Sequence, residues 1–225
     1  MNPDEIGPGE EDLAFVQRVL AGDRRCFEPL VRRHERRVFR VALAVLGNIE
    51  DAEDAMQEVF IKAFRHLDQF RGESRFTTWL TRIAVNEALQ KRQARKESVP
   101  LDESREADER PLPRRFEPWT ANPEQLYGQQ EVRQLVEAAI QALPSIYRET
   151  LVLRDVEGMS AEEAAEALGI KVEALKSRLL RARLMLRETL GSAMEEPRPL
   201  GTKIVHSAVR MRNMMKVMLA RAAGR

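Results

Sequence analysis

Pro100, Pro111, Pro113 and Pro118 crowd the stretch 97–122, and they set the plan of the whole chain. Each lacks a backbone donor and clashes with the preceding turn, so no continuous helix passes through them. Mixed charges and little apolar period leave nothing there to bury, and the stretch reads as an extended linker. It separates two segments of helical character, 11–96 and 123–191, and a basic extension follows over 192–225. No segment alternates apolar and polar residues for long enough to suggest a sheet. The expected fold class is therefore all-α: two small helical domains joined by a Pro-rich linker. Scarce aromatics, 5%, and abundant charge, 32%, suit small helical units better than one large core.

In the first segment, helical periodicity runs over 11–46 and is interrupted at Gly22-Asp23, either of which is placed to cap the next helix. Leu30, Val31, Val38, Val41, Ala42 and Val45 mark a buried stripe that Gly47-Asn48 terminates. A third helix begins near Glu50 with an acidic first turn, which suits the positive end of the helix dipole. Its apolar face carries Ala52, Met56, Val59, Phe60, Ala63 and Leu67; Asp51, Asp54, Glu58 and Arg65 line the opposite side, with Gln57 beside them. A loop over Gln69 to Ser74 contains Gly72, and a helix from about Arg75 to Arg95 has Phe76, Leu80, Ile83 and Ala84 as its core positions. Arg75, Thr78, Arg82 and Asn86 recur along that helix as a second polar stripe, and two cations with two hydrogen-bonding side chains suit a nucleic-acid strand. Trp79 at its edge reads as a partly buried core residue rather than a base-stacking platform.

The second segment carries the sharper signal. Ser160-Ala161-Glu162-Glu163 has the pattern of a capping box, in which the hydroxyl and the third-position carboxylate satisfy each other's backbone donors. The helix it opens runs to Leu168; Gly169 supplies a left-handed turn, with Ile170 as the expected buried anchor. A second helix from about Val172 runs past Arg187, with Val172, Leu175, Leu179, Ala182 and Leu186 facing inward. Its opposite face presents Glu173, Ala174, Ser177 and Arg181, flanked by Lys176 and Arg178. Short helix, glycine turn and long basic helix make a helix-turn-helix, whose second helix fits the major groove. An arginine at the centre of such a face is the usual reader of guanine, and Lys176, Arg183 and Arg187 are better placed for phosphates.

Catalysis finds no support in the sequence. His34, His66 and His206 are scattered and Cys26 is alone, so neither a metal-ligand spacing nor a disulfide pair exists. The carboxylates of 50–58 lack the glycine and spacing of a calcium loop, no phosphate-cradling glycine motif occurs, and Ser145, Ser160 and Ser177 have no evident base. No cofactor is expected. The first residues carry no signal-peptide pattern and no apolar run is long enough for a bilayer, so the expectation is a cytoplasmic protein without membrane insertion. A net charge of +1 hides separate acidic and basic faces, which suggests separate partners.

Both segments resemble one family. Asp51-Ala52-Glu53-Asp54-Ala55-Met56-Gln57-Glu58-Val59-Phe60, Phe70-Arg71-Gly72-Glu73-Ser74-Arg75-Phe76-Thr77-Thr78-Trp79-Leu80 and Arg82-Ile83-Ala84-Val85-Asn86 are similar to region 2 of extracytoplasmic-function sigma factors. Leu143-Pro144, Gly158-Met159-Ser160 and Lys176-Ser177-Arg178-Leu179-Leu180-Arg181-Ala182-Arg183 resemble region 4. The resemblance implies a subunit that recruits core RNA polymerase to promoters. It implies polymerase contacts at Asp51, Asp54, Gln57 and Glu58, and −10 contacts at Arg75, Thr78, Arg82 and Asn86. It implies −35 contacts at Lys176, Ser177, Arg178, Leu180, Arg181 and Arg183, and an anti-sigma factor as a further partner. The residues alone leave open a stand-alone helix-turn-helix regulator.

The extension departs from the family pattern. Ile204, Ala208, Met211, Met215, Met218 and Ala222 would share one helical face, and Lys203, Arg210 and Arg221 another. Met-rich faces adapt to varied partners, so a regulatory helix stands beside a loosely packed terminus as its reading.

Overall fold

A computed structural model describes residues 8–98 and 129–195, and these divide into two compact units, one through Lys91 and one from Arg92. The prolines of the linker and the 200–225 extension lie outside the described residues, as do Pro123 to Gly128. Every regular element among the described residues is helical.

The first unit begins with α1, Pro8–Leu20, and a short 3-10 turn, Arg24–Cys26. Gly22 takes a left-handed φ of +104° between them. Asp23 leads that turn without capping it. Its carboxylate instead pairs with Arg18 at 2.8 Å and accepts from the Cys26 thiol at 3.2 Å. α2, Phe27–Leu46, buries Leu30, Val31, Val38, Val41, Ala42 and Val45 as expected, and Gly47 closes it at φ +78°. Asn48 then caps α3, Ile49–Arg65, by accepting from the Asp51 N–H at 2.8 Å. α2 and α3 pack as a hairpin, with Ala42, Ala52 and Ala55 letting their backbones approach at the Gly47 end.

α4, Phe76–Ser98, buries three of the four core positions expected from the sequence. Phe76, Leu80 and Ala84 are buried, but Ile83 is only half-buried, while Thr81, Val85 and Ala88 are fully enclosed. Phe70, Phe76 and Trp79 stack at centroid distances of 5.5–5.6 Å, and Trp79 is half-buried as expected.

A buried polar cluster joins α1 to α2. Asp12, 2% exposed, faces His34, 4% exposed, with Oδ2 to Nε2 at 2.9 Å. Arg33 donates from Nη1 to Asp12 Oδ1 at 3.0 Å and pairs with Glu11 through its other terminal nitrogen. The Phe76 ring lies 5.4 Å from His34, which puts α4 against the same cluster. These partners are more than twenty residues apart, so the cluster fixes the tertiary placement of α1.

The second unit contains α5, Gln129–Gln141, and α6, Ser145–Leu151, which continues into a wider π-helical turn over Val152–Val156. α7, Ala161–Leu168, and α8, Val172–Glu195, complete it. Leu143, Ile146, Tyr147, Leu151, Leu179 and Ala182 form one core, flanked by Ile140, Met185 and Leu186. Arg148 is buried and donates to the carbonyls of Gln141 and Leu143 at 2.9 and 3.3 Å, closing the α5 C-terminus.

Candidate nucleic-acid interface

The α7–turn–α8 segment is fixed by local chemistry. Ser160 Oγ accepts from the Glu163 N–H at 3.0 Å, and Glu163 Oε2 accepts from the Ser160 N–H at 2.8 Å, so the capping box is complete. Gly169 takes φ +66°, and the Ile170 N–H reaches back to Ala165 O at 3.0 Å. Ile170 itself is half-buried, and the enclosed anchor is Met159, on the other side of α7. Leu175, Leu179 and Ala182 of α8 are buried, whereas Val172 and Leu186 are half-buried.

On the outer side of α8, Lys176, Ser177, Leu180 and Arg183 are exposed, and Arg178 and Arg181 are half-buried. Leu180 is 57% exposed, an apolar side chain left in water at the middle of a polar face. Arg181 lies with Nη1 3.5 Å from Tyr147 Oη, which draws it toward the core edge. Arg183 grips Asp155 in a fork, Nε to Oδ2 at 2.8 Å and Nη2 to Oδ1 at 2.7 Å. Asp155 thereby raises the Arg183 pKa, and the guanidinium is oriented before any ligand arrives. At the start of α7, Glu162 is held below the usual carboxylate range by its own backbone N–H, then by Ser160. The positive charges of Lys176 and Arg154 act in the same direction. Arg154, which the sequence did not single out, donates to the Met159 carbonyl and braces the turn before α7.

In the first unit, Asp54 and Glu58 are exposed on α3, and Asp51 and Gln57 are half-buried. Lys91 of α4 reaches Asp54 at 3.3 Å and Asp51 at 3.8 Å, and Lys62 pairs with Glu87. These cross-helix pairs partly neutralise the acidic stripe and align α4 against α3, a role no local sequence signal reveals. Arg75 and Asn86 are exposed, and Thr78 and Arg82 are half-buried, so the stripe on α4 is continuous but unevenly presented. The Gly72 loop adjoins the first turn of α4, whereas Asn86 lies about 15 Å further along the axis at 1.5 Å per residue. The structure thus does not bring Asn86 to that loop. Gly72 instead sits near Leu13 of α1, whose Cδ1 would be 3.8 Å from an added Cβ.

Family models of sigma-70 region 2 and sigma-70 region 4 match residues 30–98 and 133–186. The RNA polymerase sigma-H factor of Pseudomonas aeruginosa is 35% identical over 192 residues, 83% of this chain and 97% of that one. The chain belongs to the extracytoplasmic-function sigma factors. The sigma-E factor of Escherichia coli K12 is 38% identical over 179 residues, covering 76% of this chain and 90% of its own. Among solved structures, CnrH in complex with the cytosolic domain of CnrY is similar with a TM-score of 0.51 and 26% identity. That match covers 81% of this chain and 98% of CnrH. The sigma factor RpoE of Bartonella quintana, solved with the anti-sigma factor NepR, gives 0.53 and 25%, covering 73% and 96%. The protein is a sigma factor, a non-catalytic subunit that directs RNA polymerase to promoters. Among the described residues no helix is long and apolar enough to cross a membrane, and no group of His, Cys, Asp and Glu has the makings of a metal site.

Proposed function

We propose that the two domains divide promoter recognition, residues 11–96 serving polymerase and the −10 element and residues 123–191 the −35 element. The reading rests above all on the capped α7, the Gly169 turn and the outward face of α8, which together present a helix suited to the major groove. Arg181 and Ser177 contact base edges, Leu180 offers an apolar surface to a thymine methyl, and Lys176, Arg178 and the oriented Arg183 hold phosphates. In the first domain, Asp51, Asp54, Gln57 and Glu58 contact core polymerase. Arg75, Thr78, Arg82 and Asn86 follow the −10 strand. The solved complex of RpoE with the anti-sigma factor NepR supports an anti-sigma partner for this chain too.

Pull-down with core polymerase followed by run-off transcription tests the whole assignment. Gln57→Ala with Glu58→Ala removes two polar groups from the α3 face, and holoenzyme assembly should weaken while an isolated −35-binding fragment keeps its DNA affinity. Assembly at the wild-type level would place the polymerase contact elsewhere.

Asn86→Ala tests the melting step. Extruding a base costs a few kcal/mol, and a side chain that both donates and accepts is suited to its Watson–Crick edge. The variant should form open complexes less readily and lose discrimination at one non-template position. A premelted bubble should restore opening without restoring discrimination. If duplex promoters open normally with base preference intact, the receiving pocket lies elsewhere.

A further inference from the structure

The acidic face of α3 has a counterpart on α2 that none of the assignments above employs. α2 carries five arginines against two glutamates, and α3 five carboxylates against two cations. Arg32, Arg36 and Arg40 are exposed and recur every four residues, so they stand in a row with steps of about 6 Å along the axis. They lie opposite the buried residues Leu30, His34, Val38, Val41 and Val45. Arg33 points another way, into the cluster with Glu11 and Asp12.

We propose that the Arg32–Arg36–Arg40 row binds the sugar-phosphate backbone of promoter DNA within the holoenzyme. Two observations favour a nucleic-acid backbone over a protein surface. Among the described residues the large exposed apolar side chains are Leu13, Leu20, Ile49, Val156 and Leu180, and none belongs to α2. A protein interface draws its affinity from buried apolar or aromatic anchors, which this face lacks, whereas phosphate binding needs only regularly spaced cations. The carboxylate contact of Arg32 is exchangeable for a phosphate. Arg32 pairs with Glu28 at 2.5 Å in an exposed i, i+4 contact, of a kind that contributes well under 1 kcal/mol and yields to a phosphate. Glu35 is half-buried, and burial pushes it above the usual carboxylate range, with Arg36 and then Arg32 opposing.

The test compares the wild-type holoenzyme with one carrying Arg32→Gln, Arg36→Gln and Arg40→Gln, binding a promoter fragment across a potassium chloride series. Loss of three contacts should flatten the slope of log K against log salt by about 2.7 if they lie on duplex and about 2 if on a melted strand. Closed complexes on duplex and complexes on a premelted bubble separate those two sources. Base preference at the −10 and −35 elements should stay unchanged in the triple variant, whereas the Asn86 and Arg181 assignments stand or fall on base preference in their own variants. The triple lysine variant should keep the wild-type slope. If the glutamine triple variant is not folded by urea titration, Arg36→Gln alone should flatten the slope by about 0.7–0.9. An unchanged slope overturns the proposal. So does weaker binding to core polymerase at unchanged slope, which would assign the row to an acidic protein surface.

Discussion

Arg181→Ala should lower use of −35-dependent promoters by about 5- to 150-fold, the equivalent of 1–3 kcal/mol, with polymerase binding intact. The size follows from the two-pronged bond that a guanidinium would make to guanine in the proposed contact and from the unpaired base edge its removal would leave. Arg181 is half-buried, with Nη1 3.5 Å from Tyr147 Oη, at the edge of the outward face of α8. The signature is relaxed preference at one base pair, read by transcription from promoters randomised there. Uniform weakening across all sequences would instead make Arg181 a phosphate contact.

Asp12→Ala should destabilise the N-terminal domain by about 2–3 kcal/mol. Removing one partner of a buried hydrogen bond leaves the other unsatisfied at a cost of about 1–3 kcal/mol. Here His34 is enclosed and loses its partner outright, while Arg33 is a third exposed and keeps Glu11, so the upper part of that range applies. Asp12→Asn preserves the shape and one acceptor, and should cost less. Urea unfolding of the full chain checks both through the shift in midpoint at constant slope. A change below about 1 kcal/mol would mean that α1 is docked by apolar contacts alone. α1 also carries Leu13 to the Gly72 loop, so undocking it should loosen that loop and the adjoining first turn of α4 before the domain unfolds.

What the sequence discloses here is what local chemistry decides. Helix ends at Gly47, Ser160 and Gly169 follow from a left-handed residue or a side-chain cap, and each lies where its neighbours predict. The α4 core is only partly legible because its buried arc also holds Thr81 and Ala88, a polar and a small residue whose apolar signal is weak. Ile83, a stronger signal, sits at the edge of that arc. Asp12–His34, Lys91–Asp54 and Asp155–Arg183 are 22, 37 and 28 residues apart, and no periodicity links such pairs. The same limit applies to the binding stripes. Residue type and spacing place Lys176 and Arg181 on one face, but the partners Asp155 and Tyr147 that orient Arg183 and Arg181 emerge only in three dimensions.

The capping box and the Gly169 turn have a consequence for how such a factor changes over time. They fix the path of α8 through Ser160, Glu163 and backbone groups, while Leu175, Leu179 and Ala182 anchor it from within. None of these is among the side chains proposed to meet bases. On the proposed assignment, Ser177, Leu180 and Arg181 are exchangeable lettering on a constant frame. A duplicated gene would then acquire new promoters, and an engineer an orthogonal transcription circuit, by rewriting those three positions without refolding the domain.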